Sequence, residues 1–114
     1  MGKQNVVEMT DNGKELYFTI NGDLEQGHLS EFSRLMETEL NKKQDRDMVI
    51  DLDKCQFLDS GNLGVISQAH RDLSTRGCNL RLINVQKGVA STLSVTSLDK
   101  IFDIELKAGG VRKS

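Results

Sequence analysis

The chain of 114 residues contains no proline. Nothing therefore forces a break inside a helix or strand, and the sequence reads as regular elements joined by glycine-bearing turns. It has only two cysteines, Cys55 and Cys78, with neither a Cys-x-x-Cys spacing nor a histidine cluster beside them. That excludes a zinc site and leaves two small buried thiols in a reducing compartment. An excess of either sign of charge is lacking as well. A formal net charge of −2 provides no basic footprint for nucleic acid. No apolar run is long enough to cross a bilayer, and Met1 to Asn5 lack a signal-peptide core. Met1-Gly2 opens a myristoylation pattern, but Val6 stands where that motif requires Ser or Thr. The expectation is a cytoplasmic protein.

What is present is ordinary globular material, with 37% hydrophobic and 28% charged residues. The length suits one domain over residues 1–114, with a core of about 6–106 and a fraying, glycine-containing tail over 107–114. Val6 to Met9 suggests a strand, and Asp11-Asn12-Gly13 a turn into a second, antiparallel strand over Lys14 to Asn21, where Leu16, Phe18 and Ile20 alternate with polar residues. From His28 the period becomes helical through Leu29, Phe32, Leu35, Met36 and Leu40. Met48 to Leu52 forms a third strand. Leu63, Ile66, Ala69 or His70, and Leu73 form a helical face that ends at Gly77. Leu80 to Val85 is a fourth strand, Gly88 to Thr96 a shorter helix, and Ile101, Phe102 and Ile104 a last strand. The order β-β-α-β-α-β-α-β predicts an α/β domain with a mixed sheet and right-handed crossovers.

The most informative stretch is Met48 to Gly64, MVIDLDKCQFLDSGNLG. A buried strand carrying Asp51 leads through a polar turn to Phe57-Leu58, then to Asp59-Ser60-Gly61-Asn62, a cluster of helix-start residues. A carboxylate and a hydroxyl thus stand where a strand hands over to a helix N-terminus, with its free N–H groups and positive dipole end. Either side chain could simply cap the helix; an anionic group or a partner's surface would also suit the spot. Asp51 is expected to accept hydrogen bonds from loop N–H groups. His28 and His70 have no companions at ligand spacing. Ser60 lacks a Gly-x-Ser-x-Gly elbow, and His70 would lie about 15 Å along the helix at 1.5 Å per residue, too far for proton transfer. Gly61-Asn62-Leu63-Gly64 is too short for a nucleotide-phosphate loop. No nucleophile with a base emerges, so the expectation is a binding module, not an enzyme, with no cofactor and no metal.

At Asp51-Leu52 and Phe57-Leu58-Asp59-Ser60 the pattern resembles a STAS domain of the anti-sigma factor antagonist family. Asp59, Ser60, Leu63 and Gly64 fall on the positions of its Asp-Ser-(Ser/Thr)-Gly-Leu-Gly motif. Asn21-Gly22-Asp23-Leu24 resembles the family's Gly-x-Leu turn, Arg76 to Leu82 its glycine turn into a strand, and Thr96 to Phe102 its closing segment. One departure stands out. The family's phosphoacceptor is the second hydroxyl residue after the aspartate, and that register holds Gly61, followed by Asn62 where glycine is usual.

The resemblance implies a STAS-like fold and a regulatory module that docks an anti-sigma factor, often a serine kinase of the histidine-kinase-like ATPase class. Docking would use the Asp59–Gly64 junction and the turn Asn21–Glu25, with Asp23, Asp59, Ser60, Gly61, Asn62 and Gly64 facing the partner. Ser60, one residue early, is the candidate phosphorylation site. Gly61 favours an alternative, a phosphorylation-independent subunit regulating a transporter or signalling complex. A small-ligand or nucleotide sensor using the helix N-terminus is a third reading.

Overall fold

The computed structural model describes residues 6–107. Five strands lie in the spatial order β1-β2-β3-β4-β5. β1 (Val7–Asp11) and β2 (Glu15–Ile20) form the antiparallel hairpin expected from Asp11-Asn12-Gly13. Its turn is built by side chains: Asp11 Oδ1 accepts from the Gly13 N–H at 2.9 Å, and Asn12 Oδ1 from the Lys14 and Glu15 N–H groups at 2.9 and 2.7 Å. Gly13 sits at φ +88°, which glycine adopts at no steric cost. Arg46, directly before the third strand, clasps the Asp11 carboxylate, and this hydrogen-bonded partner holds the pKa of that carboxyl down at about 2.

β3 (Asp47–Asp51), β4 (Leu80–Val85) and β5 (Asp103–Leu106) continue the sheet in parallel. Each parallel step needs a crossover, supplied by α1 (Leu29–Asn41), α2 (Ser60–Thr75) and α3 (Lys87–Val95). Right-handed crossovers onto successive neighbours put every helix on the same side of the sheet. Burial agrees. Leu16, Phe18 and Ile20 of β2 are buried with Phe32 and Met36 of α1, Ile66 and Leu73 of α2, and Val89 and Leu93 of α3, while Glu15, Tyr17 and Thr19 between them stay half-buried. On the opposite face Val49 is shielded by its ladder neighbours Tyr17 and Arg81.

α2 ends in a Schellman motif, as Gly77 suggested. Gly77 takes φ +74°, and the Cys78 N–H reaches the Leu73 carbonyl at 2.9 Å while the Gly77 N–H reaches Ser74 at 3.1 Å. Both thiols are buried and unpaired, and burial pushes each thiol's pKa up. The expected last strand shifts along the chain. Leu98–Lys100 forms a 3₁₀ turn entered through Ser97 at φ +61°, so Ile101 is left 55% exposed and pairing begins only at Asp103. Phe102 is nonetheless buried, edge-on to His70 with ring centroids 5.2 Å apart. Of the tail expected to fray, Lys107 is held by its N–H to the Val85 carbonyl at 3.0 Å; residues 108–114 lie outside the described residues.

The start of α3 lies directly against the β3–α2 loop. A Cβ on Gly88 would come within 2.5 Å of the Gln56 carbonyl oxygen, a backbone atom with no freedom to swing aside. Gly88→Ala is therefore expected to destabilise the fold by about 1–3 kcal/mol, the usual cost of overpacking. Denaturant titration checks this, and an unchanged midpoint would refute the contact.

Candidate docking site

β2 and β3 pair through Thr19 and Asp51 and then diverge, and the segments that follow come together again. Leu24 and Leu58 form an isolated parallel bridge, with the Leu24 N–H on the Phe57 carbonyl at 3.0 Å and the Asp59 N–H on the Leu24 carbonyl at 3.1 Å. Asp23 completes the seam: its Oδ1 accepts the Gln56 and Phe57 N–H groups at 2.8 and 3.1 Å. Both leucines are buried, so the bridge extends the core under the junction.

Asp59 is the N-cap of α2, with extended backbone at ψ 171° and its side chain accepting from the Asn62 N–H at 2.9 Å. The same Oδ1 also accepts from Asn62 Nδ2 at 2.8 Å. The Asn62 backbone N–H and then its side-chain amide hold the Asp59 carboxyl below its ordinary value. Asn62 Nδ2 further donates to the Glu25 carbonyl at 3.0 Å, so one amide joins the helix start to the turn before α1. Glu25 and His28 form a reciprocal cap around the 3₁₀ turn Gln26–His28, the Glu25 N–H donating to His28 Nδ1 at 3.2 Å.

The residues expected to face a partner therefore divide. Ser60, Gly61 and Gly64 are exposed along the first turns of α2. Asp23 and Asp59 are part-buried and spend carboxylate oxygens on backbone N–H groups, so each shapes the surface as well as lining it. Asn62 requires a correction. It is fully buried, because both of its amide hydrogens are drawn inward to Asp59 and Glu25, and it touches no solvent from which a partner could approach. Its Oδ1 has no hydrogen-bond partner. Gly61, at the register of the family's hydroxyl, faces α1: a Cβ there would stand 3.2 Å from Leu29 Cδ2.

Asp51 behaves as expected, with Oδ1 accepting the Asp53 N–H at 3.0 Å, and it gains two further donors, the Tyr17 hydroxyl at 2.9 Å and Asn84 Nδ2 at 3.0 Å. The last of these holds Asn84 at φ +55°, in the register shift between β4 and β5. Sequence reasoning included Glu25 in the docking turn but gave His28, Leu29 and Phe57 no part in the junction. Glu25-Gln26-Gly27-His28 carries a capping-box spacing that could have been noticed, with His28 in the place of the usual Glu or Gln. Nothing local marked Phe57, half of an apolar pair, as exposed. No group of acidic, histidine and cysteine side chains suited to a metal ion occurs among the described residues, and no helix among them is long and apolar enough to cross a membrane.

A five-stranded mixed sheet with its helices on one side, and a capped strand-to-helix junction after its central strand, makes this a small α/β domain. The STAS domain family model matches residues 6–109, and the chain belongs to that family. It is 28% identical over 99 residues to the anti-sigma F factor antagonist of Paenibacillus polymyxa, covering 86% of this chain and 84% of that one. Among solved structures, a Thermotoga maritima protein described as an anti-sigma factor antagonist superposes with a TM-score of 0.80 at 25% identity, covering 87% and 85% of the two chains. The antagonist SpoIIAA in its unphosphorylated form superposes with a TM-score of 0.75 at 13% identity over 86% of each chain, a likeness of fold alone.

Two expectations follow from this geometry. Asn62→Ala removes the donors that tie Asp59 to Glu25, and a loss on the order of 1–3 kcal/mol in chemical denaturation is expected; a loss within error would show the bridge to be idle. The second concerns acid. Because the folded state lowers the Asp59 pKa, the carboxylate stabilises the fold above its unfolded value near 3.8, and that stabilisation is lost as pH falls through the lower folded value. Asp59→Asn should therefore lose less melting temperature than the parent protein between about pH 6 and pH 2. Parallel curves would contradict the assignment.

Proposed function

We propose that the protein is a non-enzymatic, cytoplasmic anti-sigma factor antagonist, which docks an anti-sigma factor through the Asp59–Gly64 junction and the adjoining turn Asn21–Glu25. The observation that carries this reading is the junction itself: an exposed, rigidly capped helix start with Ser60, Gly61 and Gly64 open to solvent. The similarity to the Paenibacillus polymyxa antagonist supplies the class of partner. Sequestering the anti-sigma factor would free its sigma factor. If the partner is a serine kinase of the histidine-kinase-like ATPase class, the chemistry of the switch belongs to its ATP, and this chain contributes only the hydroxyl.

Ser60 is the hydroxyl offered. It is the first residue of α2, exposed, and next to the ionised Asp59 carboxylate. A phosphoryl group there adds roughly −1.5 to −2 of charge. Placed between this surface and a docked partner, it would weaken the complex by repulsion from Asp59 and by the cost of desolvating a dianion. A second reading is supported by Gly61. With no hydroxyl at the family's register and Leu29 packed against the glycine, the surface would stay unmodified, as in a constitutive STAS subunit of a transporter or signalling complex.

Incubation with the cognate anti-sigma kinase and ATP separates the two. Under the first reading the intact mass rises by one phosphoryl group, Ser60→Ala abolishes the rise, and Ser60→Asp weakens binding about tenfold or more in calorimetry with the melting temperature unchanged. An unmodified mass would count against the phosphorylation switch and favour the constitutive subunit, and absence of binding to any anti-sigma factor would end the first reading.

A further inference from the structure

β1 closes one end of the sheet, with β2 as its neighbour on one side and no described strand on the other. The Val6 carbonyl accepts the Asn21 N–H at 2.7 Å, which fixes the alternation along the hairpin. Val6, Glu8 and Thr10 turn their backbone groups inward to β2, so Val7, Met9 and Asp11 turn theirs outward. Three residues thus offer N–H and C=O groups to an incoming strand. Beside this edge lies a groove of about 670 Å³, lined by Val7, Glu8 and Met9 of β1 and by Glu31, Arg34 and Leu35 of α1. Met9 and Leu35 are half-buried there. Glu31 and Arg34 stand one helical turn apart on this flank, and among the described residues neither has an ion-pair partner.

The charges decide which strand fits. Like charges directly opposite one another destabilise a strand pair. On β5, the other edge, Asp103 and Glu105 are exposed on the uncovered face. Two copies of β5 paired antiparallel set Asp103 against Glu105, or Glu105 against itself. β5 paired with β1 of another copy sets one of these acids against Glu8. A second copy of β1 avoids both conflicts. Centred on Met9, the antiparallel register pairs all five residues of the strand: Val7 with Asp11, Glu8 with Thr10, and Met9 with Met9. No like charges meet, and the outward groups of Val7, Met9 and Asp11 bond to the same three residues of the second copy. The two-fold axis of such a pairing also joins the two grooves and brings the α1 helices together antiparallel. Glu31 and Arg34 are complementary across that axis, each acid to the other copy's base. We propose that β1 is a homodimer interface, at which a second copy of this chain adds its own β1 about Met9 to make one continuous sheet. The interface lies on the hairpin edge, apart from the Asp59–Gly64 junction, and forms without an anti-sigma factor.

Analytical ultracentrifugation of the full chain over a range of concentrations tests this. The parent protein is expected to rise in mass towards twice that of one chain. Met9→Pro deletes an outward N–H, leaves the ladder to β2 intact and sets a ring in the path of the second strand, so this variant should stay monomeric. Arg34→Glu puts acids against acids across the axis and should weaken association about tenfold or more. Combining it with Glu31→Arg exchanges the two charges and should restore the dimer. A parent protein that remains monomeric up to about 1 mM overturns the proposal. So does a dimer that Met9→Pro or Arg34→Glu leaves at full strength, since its interface must then lie elsewhere. Loss in the single charge variant without recovery in the exchanged one refutes the Glu31–Arg34 contact and the axis with it. If Met9→Pro does not fold, the two α1 variants decide the matter, with melting temperatures matched to the parent protein.

Discussion

Past Ile20 and Asp51 the ladder between β2 and β3 stops, yet the chain beyond each strand must be brought to one place for a junction to exist. The Asp23 carboxylate does this by accepting two successive N–H groups, from Gln56 and Phe57. Ordering backbone costs about 1–2 kcal/mol per residue, so an eight-residue connection such as Leu52 to Asp59 stays fixed only where its polar groups find partners. Here they do. The Leu24–Leu58 bridge sits over buried side chains, Asp23 holds one side of the loop, and Gln86 and Lys107 hold Asp53 on the other. Everything proposed for the junction depends on that seam, because an exposed residue on a wandering loop could present no defined shape to a partner.

The seam also explains why the junction is electrostatically settled. Asp59 stays ionised to lower pH than an ordinary aspartate because its oxygen accepts two N–H groups of Asn62. A carboxylate so committed is a fixed negative feature of the surface and no reservoir of protons near neutrality. His70, the other titratable group on α2 to be considered beside Ser60, packs on Phe102 far down the helix. On the proposed reading, recognition is what this end of the molecule is arranged to do.

Much of this architecture was legible in the residues. The alternation Leu16, Phe18, Ile20 and the helical spacing of Leu29 to Leu40 each report burial on one face, and in a sheet covered on one side only that signal is clean. Gly13 and Gly77 marked real left-handed turns. The last strand was misplaced because Ile101 and Phe102 look like the start of an apolar run, whereas the 3₁₀ turn before them exposes the first and buries the second. The Asp59 cap was visible as a helix-start residue. The burial of Asn62 was not, since it depends on Glu25, 37 residues earlier, whose carbonyl is brought in only by the tertiary seam. Phe57 and Leu58 are indistinguishable as a pair in the sequence, and only the parallel bridge decides which of them turns inward.

The departure from the family's motif follows the geometry of a helix start. Successive residues on an α-helix are rotated by about 100°, so three neighbouring positions look in three directions. Ser60 looks to solvent, Gly61 to Leu29 on α1, and Asn62 into the seam. Relative to the resembled motif, the side chain has left position 61 and one has been gained at position 62. Without a Cβ at 61 the helix start can lie close against Leu29, and with an amide at 62 the same helix start is tied to Glu25. Both contacts draw the beginning of α2 toward the beginning of α1. The hydroxyl left available at Ser60 therefore stands on a junction held from two sides, where added charge has Asp59 beside it and little freedom to relax. A switch built here would act through the partner's surface, by repelling it, more than through any rearrangement of this domain.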